Sequence, residues 1–354
     1  MDFPGEKLVI KLWETLAEKG MGSLLSPWQT GREERLRIEL RRKELLMLAQ
    51  TEKDVADIRS GKMQLRPDGS LLLASASSTP RHEGGVEPTF SIATAIEHGN
   101  RATVTAAARA EINTSRAILI AEEQLASDEQ EPSEQQIDED WLFMWRDHAG
   151  KVSTEDLQRL WGSVLAGEVK SPGKYSIRTL EFLKILSKHE ADLITRLASY
   201  VIGGSIASSQ KDLLKSSGLD FAVFLQLQEL GIVSGIEGFG LSIKYGSVEP
   251  GKFFLPLFSH GKVLLVEHDD PASTLELGIY PLTVVGKQVL GLGSFDPNLE
   301  YLRVVGLDFV KKGFNVKLAD WRKVSETEYQ WFNGSPILAE DPPPIANNLL
   351  DLDA

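Results

Sequence analysis

A run of three short helices, predicted between Val152 and Leu197, constrains the fold of this chain more than any other feature. Ser153, Ser176 and Ser187 each precede one of them, where a serine hydroxyl can accept from the first turn, and Gly167 is expected to end the first helix. That first helix has apolar residues at intervals of three and one, the spacing of a buried face. They are Leu157, Leu160, Trp161, Val164 and Leu165. Because short turns join the helices, they are expected to pack on one another and to anchor the fold.

Five residues characterise the first turn of this unit and the helices beside it. They are Trp161, Glu168, Pro172, Arg178 and Leu180. Glu168 and Arg178 flank the turn, and we expect an ion pair between them to fix one helix against the next. Glu168 and Lys170 also have the spacing of a nuclease Glu-x-Lys motif, but they stand at a helix end without the strand hairpin that such a site requires. We therefore favour a structural role for all five residues.

The segment from Ser153 to Ala191 resembles the pattern of the bacterial family catalogued as domain of unknown function 2806. This resemblance extends over Trp141 to Trp331, and residues Gly20 to Pro27, before a charged stretch, are also similar to that family. The Trp-containing helix, the Leu-Ala turn and the Pro-containing loop are in addition similar to abortive-infection alpha proteins. The resemblance implies bacterial origin and a place in phage defence, and it supplies no catalytic residues.

Two helices are predicted near the N-terminus. Residues Glu6 to Lys19 have an apolar face at helical spacing, and Arg32 to Ile58, without Gly or Pro, should form a long charged helix. Apolar side chains close to a basic stretch can contact a membrane surface or a protein partner. The residues predicted for this contact are Trp13, Leu24, Leu25, Trp28, Arg41 and Arg42. The alternative is a solvated helix face with i, i+4 ion pairs.

Changes in composition divide the chain into seven segments. These are residues 1–59 with the two N-terminal helices, 60–87 as a flexible linker, 88–126 as an Ala-rich helical segment, 127–140 as an acidic linker, 141–203 as the central helical unit, 204–335 as a winged-helix-like module and 336–354 as a mobile acidic tail. The acidic linker has no basic residue, so mutual repulsion favours an extended chain that separates its neighbours. The predicted fold class is α+β, mainly helical.

The C-terminal third has the element order of a winged helix. A helix, a turn, a second helix and a strand are followed by alternating apolar residues from Phe253 to Val266. Asp220 is predicted to cap the second helix and Gly231 to end it. A strand, a short helix capped by Thr283, a longer helix and a final strand over Phe314 to Leu318 complete the module.

The charges of this module argue against reading of DNA. A recognition helix presents cations or amides to base edges, yet the second helix offers only Gln226 and Gln228 beside acidic residues. We therefore favour a packing or protein-interaction module. A DNA-binding version would have to take its positive charge from Lys211, Lys215 and Lys244.

Several chemistries lack their residues. The chain has no cysteine, which excludes disulfides, thiol nucleophiles and thiolate metal ligands. The histidines do not pair at metal-ligand spacing, and His268 to Pro271 is expected to be a turn between strands. No P-loop, GxSxG or kinase motif is present, and Gly286, Gly291 and Gly293 lack the GxGxxG spacing. We expect no catalytic, cofactor-binding or metal-binding residues.

The net charge of −13 opposes binding to nucleic acid, and no apolar stretch or leader predicts membrane insertion or export. We therefore expect a noncatalytic interaction protein of the bacterial cytoplasm that acts in phage defence or stress. Its partners would be other proteins, further copies of itself or the inner face of the membrane. The alternative is a nucleic-acid-binding regulator that uses the winged-helix-like module. A third hypothesis is an enzyme whose site assembles from residues distant in sequence.

Overall fold

The computed structural model describes residues 3–18, 63–65, 71–73, 92–237, 240–323 and 328–339. The helices in this part of the chain are α1 (Glu6–Glu18), α2 (Ile92–Ala126), α3 (Glu139–Ala149), α4 (Glu155–Lys170), α5 (Ile177–Ile185), α6 (Lys188–Ala198), α7 (Lys211–Ser216), α8 (Phe221–Glu229), α9 (Val284–Leu290) and α10 (Leu299–Lys311). The strands are β1 (Met63–Leu65), β2 (Leu71–Leu73), β3 (Ser205–Ala207), β4 (Leu241–Tyr245), β5 (Phe253–Ser259), β6 (Lys262–His268), β7 (Leu275–Pro281), β8 (Asn315–Lys323) and β9 (Tyr329–Pro336). The predicted class, α+β and mainly helical, is confirmed.

Two compact units make up the chain, a first unit over Met1–Leu180 and a second unit over Glu181–Ala354. The division lies within α5, and so within the stretch 141–203 that was predicted as one central helical unit.

The first unit begins with the predicted amphipathic helix. The five apolar residues of α1 that the spacing places on one face are all buried: Leu8, Val9, Leu12, Trp13 and Leu16. This face packs against α2 and α4. Gly5 allows the close approach, because a Cβ atom at this position would lie 1.6 Å from the carbonyl oxygen of Leu125 at the end of α2.

The long helix α2 confirms the helix predicted for the Ala-rich segment, and α4 packs closely along it. At the crossing, a Cβ atom on Gly162 would lie 2.9 Å from the carbonyl oxygen of Ala117. A buried polar contact supports the same region, where the Asn113 amide donates to the carbonyl of Gly150 at 2.9 Å and accepts from Gln158 at 3.3 Å.

The acidic stretch between α2 and α3 has neither helix nor strand, but lysines bind it to the first unit. Lys7 contacts Glu131 at 2.7 Å, and Lys170 contacts Asp128 at 2.7 Å. Lys11 donates to two backbone carbonyls of the stretch at 2.7 and 3.0 Å. The acidic residues therefore lie within one compact unit and do not divide the chain, because lysines from α1 and α4 offset their repulsion.

Residues 60–87, predicted as a linker, contain a short hairpin in which β1 pairs with β2 and Gln64 lies opposite Leu72. The predicted charged helix over 32–58, the rest of that linker and the tail beyond residue 339 lie outside the described residues.

The helix caps follow the sequence at two of the three serines. Ser187 and Glu190 form a capping box, with hydrogen bonds of 3.3 and 2.7 Å, and Ser176 accepts from the third residue of its helix. The cap predicted at Ser153 is wrong, since α4 begins after Thr154 without a side-chain hydrogen bond. Gly167 also does not end α4, which continues to Lys170.

Two antiparallel sheets organise the second unit, with strand orders β3–β7–β4 and β5–β6–β8–β9. The elements α6, β3, α7, α8 and β4 follow one another in the chain, and β7 then inserts between β3 and β4. The β5–β6 hairpin lies between β4 and β7 in sequence but pairs with β8 in the other sheet. The helix, turn and helix predicted here are present as α7 and α8, but the residues directly after α8, predicted as a strand, form only an isolated bridge between Val233 and Leu282. The assignment to the winged helices stays a prediction.

The helix α10 packs on β6 and β8 and forms the core of the four-stranded sheet with them. Its Tyr301 is fully buried, its hydroxyl accepts from the backbone N–H of Ala207 at 2.6 Å, and burial raises the pKa of that hydroxyl. The predicted cap at Thr283 is confirmed, since its side chain accepts from the N–H of Gly286 in α9. The expected final strand is β8, and β9 follows it as a strand that was not predicted.

Candidate functional site

The turn after α4 is organised around one buried carboxylate. Glu168 is 1% exposed and accepts from the backbone N–H groups of Gly173 at 2.5 Å and Tyr175 at 3.0 Å. Gly173 adopts a φ of +84°, which a residue without a side chain tolerates best. Burial raises the pKa of Glu168, because removal from water disfavours the charged form.

Neither of the two basic residues considered beside Glu168 in the sequence pairs with it. The predicted ion pair with Arg178 is wrong, because the carboxylate is satisfied by backbone donors of the turn and Arg178 is exposed. Lys170, the second residue of the Glu-x-Lys spacing, contacts Asp128 instead. The carboxylate therefore shapes the turn and is closed off from solvent.

Aromatic side chains surround this turn. The Trp141 indole donates to the carbonyl of Tyr175 at 2.6 Å, and the Tyr175 ring lies so close to Gly167 that a Cβ atom there would be 2.6 Å from it. Trp161 and Leu180 are also buried, at 1% and 0% exposure. Pro172 is half-buried in the turn itself. Each of the five residues singled out in the sequence, except Arg178, is thus buried or half-buried in this region.

Replacing Glu168 with Gln is expected to change how stability depends on pH. Because the folded pKa is raised above the unfolded one, the Glu168 carboxyl contributes stability below its unfolded pKa of about 4.3, and this is lost as pH rises through the folded pKa. The wild-type protein should therefore lose stability relative to E168Q between weakly acidic and neutral pH. Urea denaturation across this range measures the difference. Because Glu155 on the same helix is largely exposed, E155Q corrects for the loss of one negative charge, and a pH-independent difference for E168Q would contradict the prediction.

The residues predicted for membrane or partner contact are only partly described. Trp13 is 8% exposed and belongs to the buried face of α1, so its ring is not available at the surface. Leu24, Leu25, Trp28, Arg41 and Arg42 lie outside the described residues. Of the described helices, none combines the length and the apolar composition that crossing a bilayer requires.

The turn predicted at His268 is confirmed. Its ring Nδ1 lies 3.0 Å from the backbone nitrogen of Asp270, which donates to it, and 2.9 Å from the hydroxyl of Ser273. Within the described ranges, no three histidine or carboxylate side chains are grouped so that they could hold a metal ion.

A pocket of about 560 Å³ opens in the second unit between α7, α8, β7 and the residues Ile236, Glu237 and Gly240. Its lining combines an apolar floor with a charged rim. The residues that line it are Ser208, Lys211, Asp212, Leu214, Lys215, Leu219, Asp220, Phe221, Phe224, Ile236, Glu237, Gly240 and Tyr280.

Local sequence positions the walls of this pocket. Gly218, at a φ of +75°, turns the chain from α7 into α8, and Asp220 caps α8 by accepting from its first turn at 3.0 Å. Gln228 accepts from the backbone N–H of Ile236 at 2.8 Å and so ties the segment after α8 to the helix. Gln228, weighed above as a base-reading residue, is thus used within the fold. Gln226 is exposed.

The floor of the pocket is apolar and mostly buried, with Tyr280 half-buried. Phe224 is 3% exposed, and its ring centroid lies 4.9 Å from that of Tyr280, with an interplanar angle of 47°. Leu214 and Leu219 complete the floor at 1% exposure each. Phe221 also lines the pocket, yet 59% of it is exposed. The pocket thus offers a buried apolar surface with one accessible ring.

The rim carries both signs of charge. Lys211 and Lys215 are one helical turn apart on α7 and exposed, and neither makes an ion pair or a side-chain hydrogen bond with another described residue. Asp212, Asp220 and Glu237 supply the carboxylates. The two lysines could be identified from the sequence, but the aromatic floor could not, because Tyr280 reaches it from a strand distant in sequence.

Comparison with curated proteins and with solved structures gives no match. A family model, in contrast, matches the segment from α2 to the turn after α7. This match begins earlier in the chain than Trp141, where the stated resemblance begins, and it ends well before Trp331, where the stated resemblance ends. The similarity to abortive-infection alpha proteins stays a prediction. Over residues 100–217 the chain matches the family described as "Protein of unknown function (DUF2806)", which confirms the predicted resemblance for that segment.

Proposed function

We propose that this protein is a noncatalytic interaction protein whose second unit binds a segment of a protein partner in the pocket between α7, α8 and β7. The segment would place a large apolar side chain on the aromatic floor and an acidic side chain against the lysines of α7. The observation that carries this proposal is the contact of the buried Phe224 ring with the half-buried Tyr280 ring, beside two lysines that make no ion pair with any described residue.

The floor favours an apolar anchor. Binding sites for peptides and small molecules are mostly apolar concavities with a few polar groups that fix orientation. The exposed ring of Phe221 would lose water on contact with such an anchor, and burial of aromatic surface dominates the energy of many interfaces. A partner segment would therefore gain most of its affinity from one side chain.

The lysines favour an acidic neighbour for that anchor. Lys211 and Lys215 stand on the same face of α7, and because neither makes an ion pair with a described residue, both are available to attract a carboxylate. Asp220 already accepts a hydrogen bond from the backbone of α8, so it competes less for a cation. The rim thus selects a segment that carries negative charge beside its anchor.

A winged-helix regulator of nucleic acid is the second candidate. The two consecutive helices α7 and α8 favour it, since a helix, a turn and a second helix are what the sequence predicts for a winged helix here. The exposed residues of α8 oppose it, because Ala222, Gln226 and Glu229 bring no positive charge to a phosphate backbone. The protein-binding function accounts better for the charges.

The predicted setting is also part of the proposal. The resemblance to abortive-infection alpha proteins suggests a role in phage defence within the bacterial cytoplasm, with protein partners or further copies of the chain as its means of action. Contact with the inner face of the membrane would depend on the N-terminal residues from Leu24 to Arg42.

Selection of a random displayed peptide library on the full-length protein tests the pocket. We expect enriched peptides to share a large apolar residue next to an acidic one. Synthetic peptides of that sequence should bind the double variant K211E/K215E about tenfold more weakly, because two weak ion pairs become repulsive. F221A should weaken binding to a similar degree. Fluorescence anisotropy measures both effects.

The control reverses two lysines that do not line the pocket, in K184E/K188E, and affinity should stay unchanged. Failure to enrich any peptide, or equal binding by K211E/K215E and wild type, would reject the proposal. Retention of duplex DNA at low salt that K211E/K215E abolishes would instead support the nucleic-acid regulator. In infected cells, plaque numbers that differ between wild type and K211E/K215E would support the role in phage defence, and equal numbers would reject it.

A further inference from the structure

We infer that two copies of this chain associate by antiparallel pairing of β9 with the β9 of a second copy. The contact would join the two four-stranded sheets edge to edge. It does not depend on the pocket described above, because β9 contributes none of its lining.

The strand β9 is an open edge of its sheet. It is the last strand in the order β5–β6–β8–β9, and all eight of its residues are exposed. Among the described residues it pairs with β8 alone. An open edge of this kind is a template for another strand, and proteins usually protect such edges with charge, proline or a covering element.

The regular part of β9 is Tyr329 to Phe332, before the register shift, and the backbone of Trp331 within it points toward the open edge. The N–H of Trp321 in β8 donates to the carbonyl of Gly261 at 3.2 Å, on the β6 side of the sheet. In an antiparallel sheet the N–H and C=O of one residue point to the same side, so Trp321 and Trp331 face each other as a non-hydrogen-bonded pair. Trp331 therefore directs its N–H and C=O away from β8, where a second strand can meet them.

The side chains of the same strand offer an unfinished aromatic surface, the aromatic face, made of Phe254, Phe258, Trp321, Tyr329 and Trp331. The Phe258 ring centroid lies 4.8 Å from that of Trp321 and 5.0 Å from that of Tyr329, and Phe254 lies 5.6 Å from Trp331. Tyr329 and Trp331 remain 41% and 40% exposed. A strand added beside β9 would extend this face and cover both rings.

Charge selects a second copy as the occupant. Two molecules that each carry −13 repel one another over most of their surface, so self-association needs a contact without like charges. The sequence of β9, Tyr329 to Pro336, contains no charged residue. Self-pairing of this strand therefore sets no like charges opposite each other, and a twofold axis makes the contact self-complementary.

We place the twofold axis at Trp331, because its backbone groups point outward and its ring is exposed. Residues that lie opposite each other in antiparallel strands point to the same face of the sheet. The two aromatic faces therefore continue into each other only when odd-numbered residues of one β9 lie opposite odd-numbered residues of the other. The outward backbone groups of Trp331 then bond to those of Trp331 in the second copy. The two indole rings become a cross-strand aromatic pair, which stabilises antiparallel sheets.

Sedimentation velocity of the full-length protein at micromolar concentrations tests this contact. We expect a dimer whose dissociation constant rises by about tenfold or more in W331K, because two ammonium groups then face each other across the axis and the aromatic pair is lost. V248K changes an apolar residue of the same unit that is even more exposed than Trp331, and it should dimerise as the wild type does.

A mixture of W331K with W331E separates this contact from misfolding. Because residue 331 of one copy lies opposite residue 331 of the second copy, the mixture should form a heterodimer while each variant alone stays monomeric. A wild-type protein that is monomeric at all concentrations would overturn the inference. So would a W331K protein that dimerises as tightly as wild type, or a mixture that stays monomeric.

Discussion

Replacing Trp145 with Ala is expected to lower the free energy of unfolding of the first unit by about 3–5 kcal/mol. Trp145 lies on α3 with none of its side chain exposed, and its indole N–H donates to the carbonyl of Trp161 at 2.9 Å. The substitution removes a large buried ring, leaves a cavity and removes the additional hydrogen bond that the indole makes to a carbonyl inside α4. These losses add, because close-packed helices cannot collapse into the space.

The neighbouring Phe143 provides the matched control. It lies on the same helix but is 46% exposed, so F143A should change the free energy of unfolding by no more than about 0.5 kcal/mol. Urea denaturation followed by far-UV circular dichroism measures both variants. Equal effects of the two substitutions would show that α3 is not held by the buried Trp145.

Replacing Gly286 with Ala is expected to destabilise the second unit by about 3 kcal/mol. Gly286 lies in the first turn of α9, where a Cβ atom would lie only 2.2 Å from the backbone carbonyl oxygen of Ile232. That carbonyl accepts a hydrogen bond from the N–H of Thr283 at 2.9 Å, so the Ile232 carbonyl and the start of α9 cannot move apart without losing this bond. The added methyl group must therefore displace α9.

Gly246 is the control for this substitution. A Cβ atom there meets nothing within 4 Å, so G246A should keep the free energy of unfolding within about 0.5 kcal/mol of wild type. Thermal and urea denaturation compare the two variants. If G286A proved as stable as G246A, the close approach of α9 to Ile232 could not be a constraint on the fold.

Helical periodicity carried most of the correct predictions about the fold. The apolar spacing in Glu6 to Lys19 identified every buried residue of α1, and the capping serines at Ser176 and Ser187 marked true helix starts. The strand β9 was missed because all its residues are exposed, so it lacks the alternation of apolar and polar positions that marks a half-buried strand. The β1–β2 hairpin was missed in a segment dominated by Ser, Gly and Pro.

The local contacts of the turn after α4 could not be predicted from residue spacing. Glu168 and Arg178 have opposite charges at a suitable separation, but the turn brings backbone N–H groups of Gly173 and Tyr175 nearer to the carboxylate. Gly167 has the composition of a helix end and serves instead for contact with the Tyr175 ring. Backbone donors leave no trace in composition, so charge pairing was the only signal available.

The pocket depends on tertiary structure that the sequence did not indicate. Its cations were identified, but Tyr280 reaches Phe224 only because β7 lies between β3 and β4 in the sheet. Gln228 shows the opposite case, since its residue type suggested an outward role and the fold uses it to hold Ile236. Predictions about single helices held better than predictions about contacts between elements.

The inserted β5–β6 hairpin has a consequence for how the second unit reaches its native state. A chain that ends at Pro281 contains all of β3, β4 and β7, yet it leaves β6 without β8 and the apolar core of the other sheet unformed. Closing β4 onto β7 also requires a loop that contains the whole hairpin, and such long-range pairing delays folding. The two sheets should therefore form in one cooperative transition late in synthesis, and no cut in this region would release either sheet as a stable fragment.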